Sequence, residues 1–398
     1  MGIRISMRFA SAALERRAPL LRAIAAGLIA LVFAAVLAHG RATPYNGYVL
    51  LAQAFAHGRI AIDWPGPWID ALPYAGRYWV IEAPLPAVLL LPWVALFGSA
   101  DQTLLAVVLC GLAVGACWRT CEHIGTSTAT ATWICAFLFA GTQLAWCAML
   151  GDVWFVAHVA AVACAFLALA EVTGKRRGSL VALALVGAAF SRFALVLAIP
   201  VFAWLVLRER PRAEMRRAAI GFGAAIALGA VLWVAYNQAR WGVWYDIGYT
   251  EWYHQDGAGS PEGSPFQLRY FGYQLWSFFV QAPAFVATWP FAVPGIGGVA
   301  LTWTSPALVL AFFARRPRAL VAGMWLAALL VAGPSFIYYV NGFAQFGMRH
   351  ALDFEPFLIV LMALAIPARV PPIAKCLLAW SVAAGWWGIW YWNAFYRR

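Results

Sequence analysis

Charged residues are scarce in this chain: they make up 11% of its 398 residues, whereas 64% are hydrophobic. A soluble domain of this size cannot bury so much apolar material, so the soluble enzyme classes are excluded. The mean hydropathy of +0.75, with 22 Trp and 26 Phe, instead predicts a polytopic membrane protein.

The sequence also lacks the short motifs of soluble nucleotide and hydrolase chemistry. It has no phosphate loop, no HExxH, no GxSxG, and no GxGxxG between a strand and a helix. A soluble nucleotide-sugar site is therefore not expected. Its seven cysteines form no CxxC pair and lie within or beside apolar runs. We interpret them as small core residues, not as a disulfide framework.

The net charge of +12 comes from short basic clusters between apolar runs, with no single basic arm or patch. This pattern argues against a nucleic-acid partner and fits the rule that Lys- and Arg-rich loops stay in the cytoplasm. A membrane span needs roughly 17–25 residues, and the apolar run that follows the first basic cluster can provide one. The stretch "LAHGRATPYN" after this run is a poor signal-peptide cleavage site, so we predict that the first span is not cleaved. The N-terminus, 1–22, is then cytoplasmic.

Span length and the positions of the basic clusters together predict one all-α polytopic membrane domain over 1–398, with about 9–12 transmembrane or re-entrant helices. A first outer loop covers 39–84 and carries an interfacial helix, and a second long outer region covers 237–285. The apolar piece from 85 to 97 is too short to span and is expected in the outer interface. The run 179–207 has Ser191 and Arg192 at its middle, which predicts two short segments.

The first outer loop contains the strongest pattern for a substrate site. Between 63 and 86, three carboxylates alternate with large aromatic side chains that suit sugar faces and interfacial lipid, and prolines stiffen the loop. The carboxylates are Asp63, Asp70 and Glu82. Two loop arginines, Arg59 and Arg77, are expected at headgroup height, where a guanidinium binds a phosphate well.

Two further groups of polar residues border the apolar runs. Asp152 precedes a span that carries His158, and an ionisable residue at membrane depth indicates a site unless it is a satisfied core residue. The stretch "FGMRHALDF" adds Arg349, His350 and Asp353. Arg349 and Asp353 are four residues apart, which on an α-helix predicts one face and a mutual ion pair.

These segments together resemble a known family. The runs "YNGYVLLAQAFAHGRI", "DALPYAGRYWVIEAPLPAVLLLPWVALFG", "GDVWFVAHVAA", "LALVGAAFSRFALVLAIPVF", "YNQARWGVWYDIGY" and "QFGMRHALDFEPFL" are similar, in this order, to bacterial membrane glycosyltransferases of the C type. That superfamily includes protein O-mannosyltransferases and aminoarabinose transferases. The resemblance covers about 45–365.

The resemblance implies an enzyme that moves a sugar from a polyprenyl-phosphate donor to an acceptor on the outer face of the bacterial inner membrane. A first-loop carboxylate commonly serves as base in such enzymes. Many members have an acid just after the first span, where this chain has Asn46. Asp70 is therefore our first choice for the base, with Asp63 and Glu82 behind it, and Asp152 is the second-loop acid.

The resemblance also gives roles to the arginines. Arg77, Arg192 or Arg349 would stabilise charge on the leaving lipid phosphate. A divalent cation, Mg or Mn, would do the same, although no ligand spacing demands one. Two alternatives stay open: a transporter or flippase of lipid-linked sugars, and a non-catalytic scaffold. The sugar and the acceptor are not indicated by the sequence.

Overall fold

The computed structural model describes residues 2–66, 71–366 and 368–396, without the side chains of 2–17 and 396. It is almost entirely helical. The α-helices are α1 (Gly2–Ala38), α2 (Gly47–Ala56), α3 (Leu85–Phe97), α4 (Gln102–His123), α5 (Thr128–Ala136), α6 (Leu144–Leu150), α7 (Val153–Thr173), α8 (Gly178–Ala189), α9 (Ile199–Leu207), α10 (Arg212–Trp241), α11 (Gly248–Gln255), α12 (Phe271–Phe279), α13 (Leu301–Thr304), α14 (Arg318–Phe336), α15 (Glu355–Ala365) and α16 (Pro372–Tyr391).

Short 3-10 helices, π-helices and strands connect these elements. The 3-10 helices are Phe193–Ala198, Leu268–Tyr270, Pro306–Phe313 and Arg349–Asp353, and the π-helices are Phe137–Gly141 and Trp392–Tyr396. The strands are β1 (Leu72–Tyr74), β2 (Arg77–Trp79), β3 (Ala284–Phe285), β4 (Ala292–Val293), β5 (Gly297–Val299) and β6 (Gln345–Gly347). β1–β2 and β3–β4 are antiparallel hairpins, and β5 pairs with β6 in parallel, with Gly297 opposite Gln345.

Five described helices are long and apolar enough to cross a bilayer: the Ala18–Ala38 part of α1, then α4, α7, α10 and α14. The pair α5–α6 gives a sixth candidate, bent by 49° at its break. Five shorter apolar helical segments accompany them. These helices confirm the predicted all-α polytopic membrane fold. Helices suit lipid because they satisfy their backbone polar groups internally.

The spans pack in the order α1, α4, α7, α8, α10, and α7 lies at the centre. The most apolar stretch of α7 is 78% buried, against 17% for the Ala18–Ala38 part of α1, so this part of α1 presents most of its surface to lipid. A second group, α14, α15, α16 and the 3-10 helix Pro306–Phe313, packs beside the first. Because α7 touches both groups, its side chains meet residues from distant parts of the chain.

Glycines allow α1 and α4 to approach closely. A Cβ on Gly111 would lie 2.8 Å from the Gly27 carbonyl oxygen and 2.9 Å from Leu31 Cβ, and a Cβ on Gly115 would lie 3.0 Å from the Ala23 carbonyl oxygen. Small residues at such crossings let membrane helices pack backbone to backbone. This crossing therefore has no room for a larger side chain.

Gly111→Leu is expected to lower the melting temperature of the purified protein in detergent, because overpacking of this kind costs about 1–3 kcal/mol. Gly223→Leu is the matched control. It makes the same change within the spanning helix α10, where nothing lies within 4 Å of a built Cβ. Equal melting temperatures for the two variants would contradict the tight crossing.

Several boundaries agree with the sequence expectation, and others differ. The piece from 85 to 97 forms α3 with those bounds, and 179–207 is broken at Ser191 and Arg192. The apolar run 128–149 forms two helices joined through a π-helix and a bend. The stretch 285–314 contains strands and a 3-10 helix. Hydrophobic periodicity does not reveal such breaks, because one or two polar residues leave an otherwise apolar run looking like a single span.

Candidate functional site

Three charged or ionisable side chains from distant parts of the chain meet at one buried point. Asp353 Oδ1 lies 2.8 Å from His158 Nδ1, and Asp353 accepts hydrogen bonds from Arg192 Nε at 3.3 Å (Oδ1) and 3.1 Å (Oδ2). Arg192 Nη2 also lies 3.0 Å from Asp353 Oδ2. The side chains of His158 and Asp353 are 1% and 0% exposed. We name His158, Arg192 and Asp353, with the adjacent His350 and Arg349, the Asp353 cluster.

Breaks in helical structure place these residues. Arg192 has extended backbone angles (φ −139°, ψ 106°) between α8 and the following 3-10 helix, so its side chain leaves the helix axis at the break. The β5–β6 pairing fixes the segment that continues into the 3-10 helix Arg349–Asp353. Gly347, at the end of β6, lets this segment pack closely against the Gln143 side chain, because a Cβ at residue 347 would lie 2.3 Å from that side chain. His158 comes from the central span, α7.

Asp353 is the negative centre of the cluster. Burial raises the pKa of its carboxyl, but Arg192 and His158 lower it by more, so the pKa lies well below its ordinary value. The carboxyl is therefore ionised at neutral pH. Because an ionised carboxylate only accepts hydrogen bonds, Nδ1 of His158 must donate. Burial and the two neighbouring arginines lower the pKa of His350, which is therefore neutral at pH 7.

Arg192 presents a free edge. Nε and Nη2 are bound to Asp353, whereas Nη1 has no hydrogen-bond partner among the described residues. The side chain is 19% exposed, in contrast to the fully buried carboxylate that holds it. Asp353 thus fixes the orientation of a guanidinium whose outer nitrogen remains available to an anion.

The expected ion pair between Arg349 and Asp353 is wrong. Asp353 pairs with Arg192, and Arg349 Nη1 donates to the Phe343 carbonyl and to Gln345 Oε1, both at 3.0 Å. The segment is a 3-10 helix of three residues per turn, so residues four apart do not share a face. Arg349 Nε is buried without a partner in the described part of the chain, and burial lowers the pKa of this guanidinium.

Aromatic side chains surround the cluster. The ring of His350 lies 5.4 Å from that of His158 and 6.3 Å from that of Tyr338, and Tyr338 lies 6.3 Å from Tyr249. Arg349 lies over the Phe155 ring at 5.3 Å. Such rings exclude water from charged groups while they leave flat faces open to a ligand. These distances connect α7, α11 and the end of α14.

Glu82 lies on the same side of the protein. Burial raises the pKa of the Tyr48 hydroxyl, and the Glu82 carboxylate raises it further. Burial also raises the pKa of Tyr249, while the nearby Arg192 lowers it. Tyr48 and Tyr249 therefore both lie near Arg192 and near the carboxylate of Glu82. Glu82 itself is 4% exposed.

The other first-loop candidates lie apart from this group or beyond description. Asp63 forms an exposed ion pair with Arg59 (2.9 Å and 3.2 Å), and Arg59 holds the pKa of that carboxyl below its usual range. Arg77 is exposed at the start of β2. Asp70 lies outside the described residues. The choice among the three carboxylates therefore stays a prediction.

Asp152 connects the first outer loop to α7. It is buried at the N-terminus of α7 and accepts a short hydrogen bond from the Thr43 hydroxyl. Gly151 has a φ of +65°, and a Cβ there would meet Thr103 at 2.5 Å, so the turn before Asp152 requires glycine. Tyr45 packs on Trp154 at 5.0 Å. Asn46 is the N-cap residue that precedes α2, and it makes no side-chain capping hydrogen bond.

No three His, Cys, Asp or Glu side chains among the described residues are grouped so as to hold a metal ion. Asp353 is already saturated by Arg192 and His158. A requirement for Mg or Mn therefore stays a prediction from the sequence.

Sequence reasoning named His158, Arg192 and Asp353, but it missed the tyrosines. Tyr48, Tyr249 and Tyr338 lie where apolar segments meet outer loops. Tyrosine is common at any membrane–water boundary, so its presence there does not distinguish a site. Their spacing along the chain is also too large for a motif.

This arrangement of helices is also found in a solved structure of another membrane protein. The chain matches the crystal structure of ArnT from Cupriavidus metallidurans bound to undecaprenyl phosphate, with a TM-score of 0.54 and 15% sequence identity over 91% of this chain. It spans 62% of the length of that chain. No protein-family model and no curated protein matches. The resemblance inferred from the sequence is thus confirmed at the level of the fold.

Proposed function

We propose that this protein is a glycosyltransferase that moves a sugar from a polyprenyl-phosphate donor to a lipid, glycan or protein acceptor. The observation that carries the proposal is the Arg192 guanidinium, oriented by buried Asp353 with Nη1 free. A fixed cation beside neutral imidazoles and tyrosines suits a lipid phosphate at the membrane surface. The ArnT structure of the same fold binds undecaprenyl phosphate, which supports this ligand class.

In the proposed reaction, the acceptor oxygen attacks the anomeric carbon of the donor sugar. The bond between that carbon and the phosphate oxygen breaks, and its electron pair leaves with polyprenyl phosphate. The Asp70 carboxylate takes the acceptor's proton, with Asp63 and Glu82 as the other candidates. Arg192 stabilises the negative charge that develops on the leaving phosphate, and Arg349 adds positive charge to the same region.

We place the protein in the bacterial cytoplasmic (inner) membrane, with the N-terminus in the cytoplasm and the site on the outer face. Two features support this orientation. The Asp353 cluster lies toward the Asp152 end of α7, and the basic loop Lys175–Arg177 follows its other end. Basic loops of this kind remain cytoplasmic.

Arg192→Gln is expected to weaken the binding of undecaprenyl phosphate at least tenfold, because a hydrogen bond to a charged group contributes about 1.5–3 kcal/mol. Arg77→Gln removes the same charge from the exposed loop position that the sequence also suggested for the phosphate, and it is the comparison variant. Binding is measured by titration of the purified protein in nanodiscs. The double variant Arg192→Gln/Asp353→Asn repeats the test without an unpaired buried carboxylate.

An equal loss in Arg192→Gln and Arg77→Gln would move the phosphate to the first outer loop. Wild-type binding in both Arg192 variants would remove the phosphate from the Asp353 cluster altogether.

A further inference from the structure

A cavity with several polar lining residues lies at the end of the spanning helices opposite the Asp353 cluster. It has a volume of about 260 Å³ and lies between the ends of α4, α7 and α9 and the start of α14. Its polar lining comes from His123, Thr173, Arg176 and Arg208, and Ile124 and Leu320 contribute apolar walls. α7 has 21 residues, so the cavity lies roughly 30 Å from the Asp152 end at 1.5 Å per residue. The cavity is therefore separate from the Asp353 cluster.

Two arginines, Arg176 and Arg208, line this cavity, and a third, Arg210, lies beside it. Arg176 Nη2 donates to the carbonyl oxygens of Leu205, Val206 and Arg208 at 2.5–3.0 Å, and Arg210 donates to the Arg176 carbonyl at 2.6 Å. These bonds hold the loop after α7 against the loop after α9. Burial lowers the pKa of Arg176, and the like charges of Arg210 and Arg208 lower it further.

Among the described residues, acidic side chains do not neutralise the positive charge of these three arginines. Glu209, the acid between two of the arginines, pairs with Arg208 at 3.1 Å and is largely exposed. Glu171 is paired with Arg177, outside the cavity. Arg210 Nε is buried with no partner in the described part of the chain. The cavity thus has a surplus of positive charge and an unused buried donor beside it.

The surroundings of the cavity are those of a membrane boundary. Trp204 is 46% exposed and Arg208 lies over its ring at 5.4 Å, an arrangement typical of side chains at headgroup depth. The apolar wall continues into the spanning helices α7 and α14. The volume is near the lower end of small-molecule sites, about 300 Å³, which suits a headgroup rather than a whole lipid.

We propose that this cavity binds the phosphate headgroup of an anionic phospholipid of the leaflet on the basic side of the membrane. Guanidinium groups of Arg176 and Arg208 contact the phosphate, and the acyl chains lie along α7 and α14. Basic pockets between spanning helices on this side of a membrane bind anionic headgroups. The proposal does not depend on the proposed transferase activity.

The test is native mass spectrometry of the delipidated, full-length protein with added phosphatidylglycerol or phosphatidylcholine. One bound phosphatidylglycerol is expected to survive on the wild type, with at least fivefold lower occupancy for phosphatidylcholine. Arg208→Gln should reduce phosphatidylglycerol occupancy about fivefold, the effect of one arginine near anionic lipid. Lys175→Gln, an exposed position on the same side, is the matched control and should bind as the wild type does.

Equal occupancy of phosphatidylglycerol and phosphatidylcholine on the wild type would overturn the proposal. This comparison does not depend on whether Arg208→Gln folds. Equal occupancy in Arg208→Gln and Lys175→Gln would also overturn it. Inorganic phosphate at 20 mM, roughly a hundredfold above the lipid, distinguishes the sources. If it displaces phosphatidylglycerol, the cavity is a site for free phosphate and the lipid assignment is wrong.

Discussion

Asp353→Asn is expected to destabilise the protein by about 3 kcal/mol, at the lower end of the cost of breaking a buried ion pair, because Arg192 retains some exposure. The substitution leaves the guanidinium without its counter-charge and replaces with an amide donor one of the two acceptor oxygens that Arg192 and His158 share. The same variant should bind undecaprenyl phosphate more weakly, since the orientation of Arg192 is lost. The unfolding temperature in detergent and the lipid titration measure the two effects separately.

A double-mutant cycle with Arg192→Gln identifies the pair as the cause. The double variant should be more stable than Asp353→Asn alone, because it leaves no unpaired charge. Asp63→Asn is the control for stability, since its ion pair with Arg59 is fully exposed and its loss should leave the melting temperature unchanged. Additive effects of the two cluster substitutions would show that Asp353 does not hold Arg192.

Asp70→Asn is expected to reduce sugar transfer by about 10²–10⁴-fold, the usual contribution of a general base. Binding of undecaprenyl phosphate and the melting temperature should not change, because the proposed role is in proton transfer alone. The prediction rests on the sequence: a carboxylate in an aromatic, proline-stiffened outer loop, in a chain that has Asn46 where an acid is common. Single-turnover rates with saturating donor measure it.

Asp63→Asn and Glu82→Gln are the comparison variants for this experiment. Full activity of Asp70→Asn with loss in Glu82→Gln would move the base to the buried carboxylate of Glu82. Loss in Asp63→Asn alone would place it at the exposed pair with Arg59.

Apolar run length and turn chemistry account for the parts of the fold that the sequence predicted. α3 has the predicted bounds because a proline at its first turn and Gly98, with φ +74°, delimit its apolar run. The break at Ser191 and Arg192 was visible because polar residues interrupt an apolar run there. The bend between α5 and α6 was not predicted, although Thr142 and Gln143 interrupt the apolar run there.

The candidate site divides in a similar way. His158, Arg192 and Asp353 were each recognised because ionisable side chains within apolar surroundings are rare. Their association was not, since Asp353 lies 161 residues from Arg192 and 195 from His158. Local spacing instead suggested Arg349 as the partner of Asp353. That inference failed because it assumed an α-helix where the chain forms a 3-10 helix.

The most direct test of the proposed function is the release of polyprenyl phosphate from synthetic polyprenyl-phosphate sugars by the purified protein in lipid vesicles. A panel of donors is assayed with and without membrane lipid extract as a source of acceptor. We expect the wild type to release polyprenyl phosphate from at least one donor, and Arg192→Gln and Asp70→Asn to release far less. No release from any donor by folded wild-type protein, together with movement of the intact donors across the vesicle bilayer, would contradict glycosyl transfer and identify a transporter.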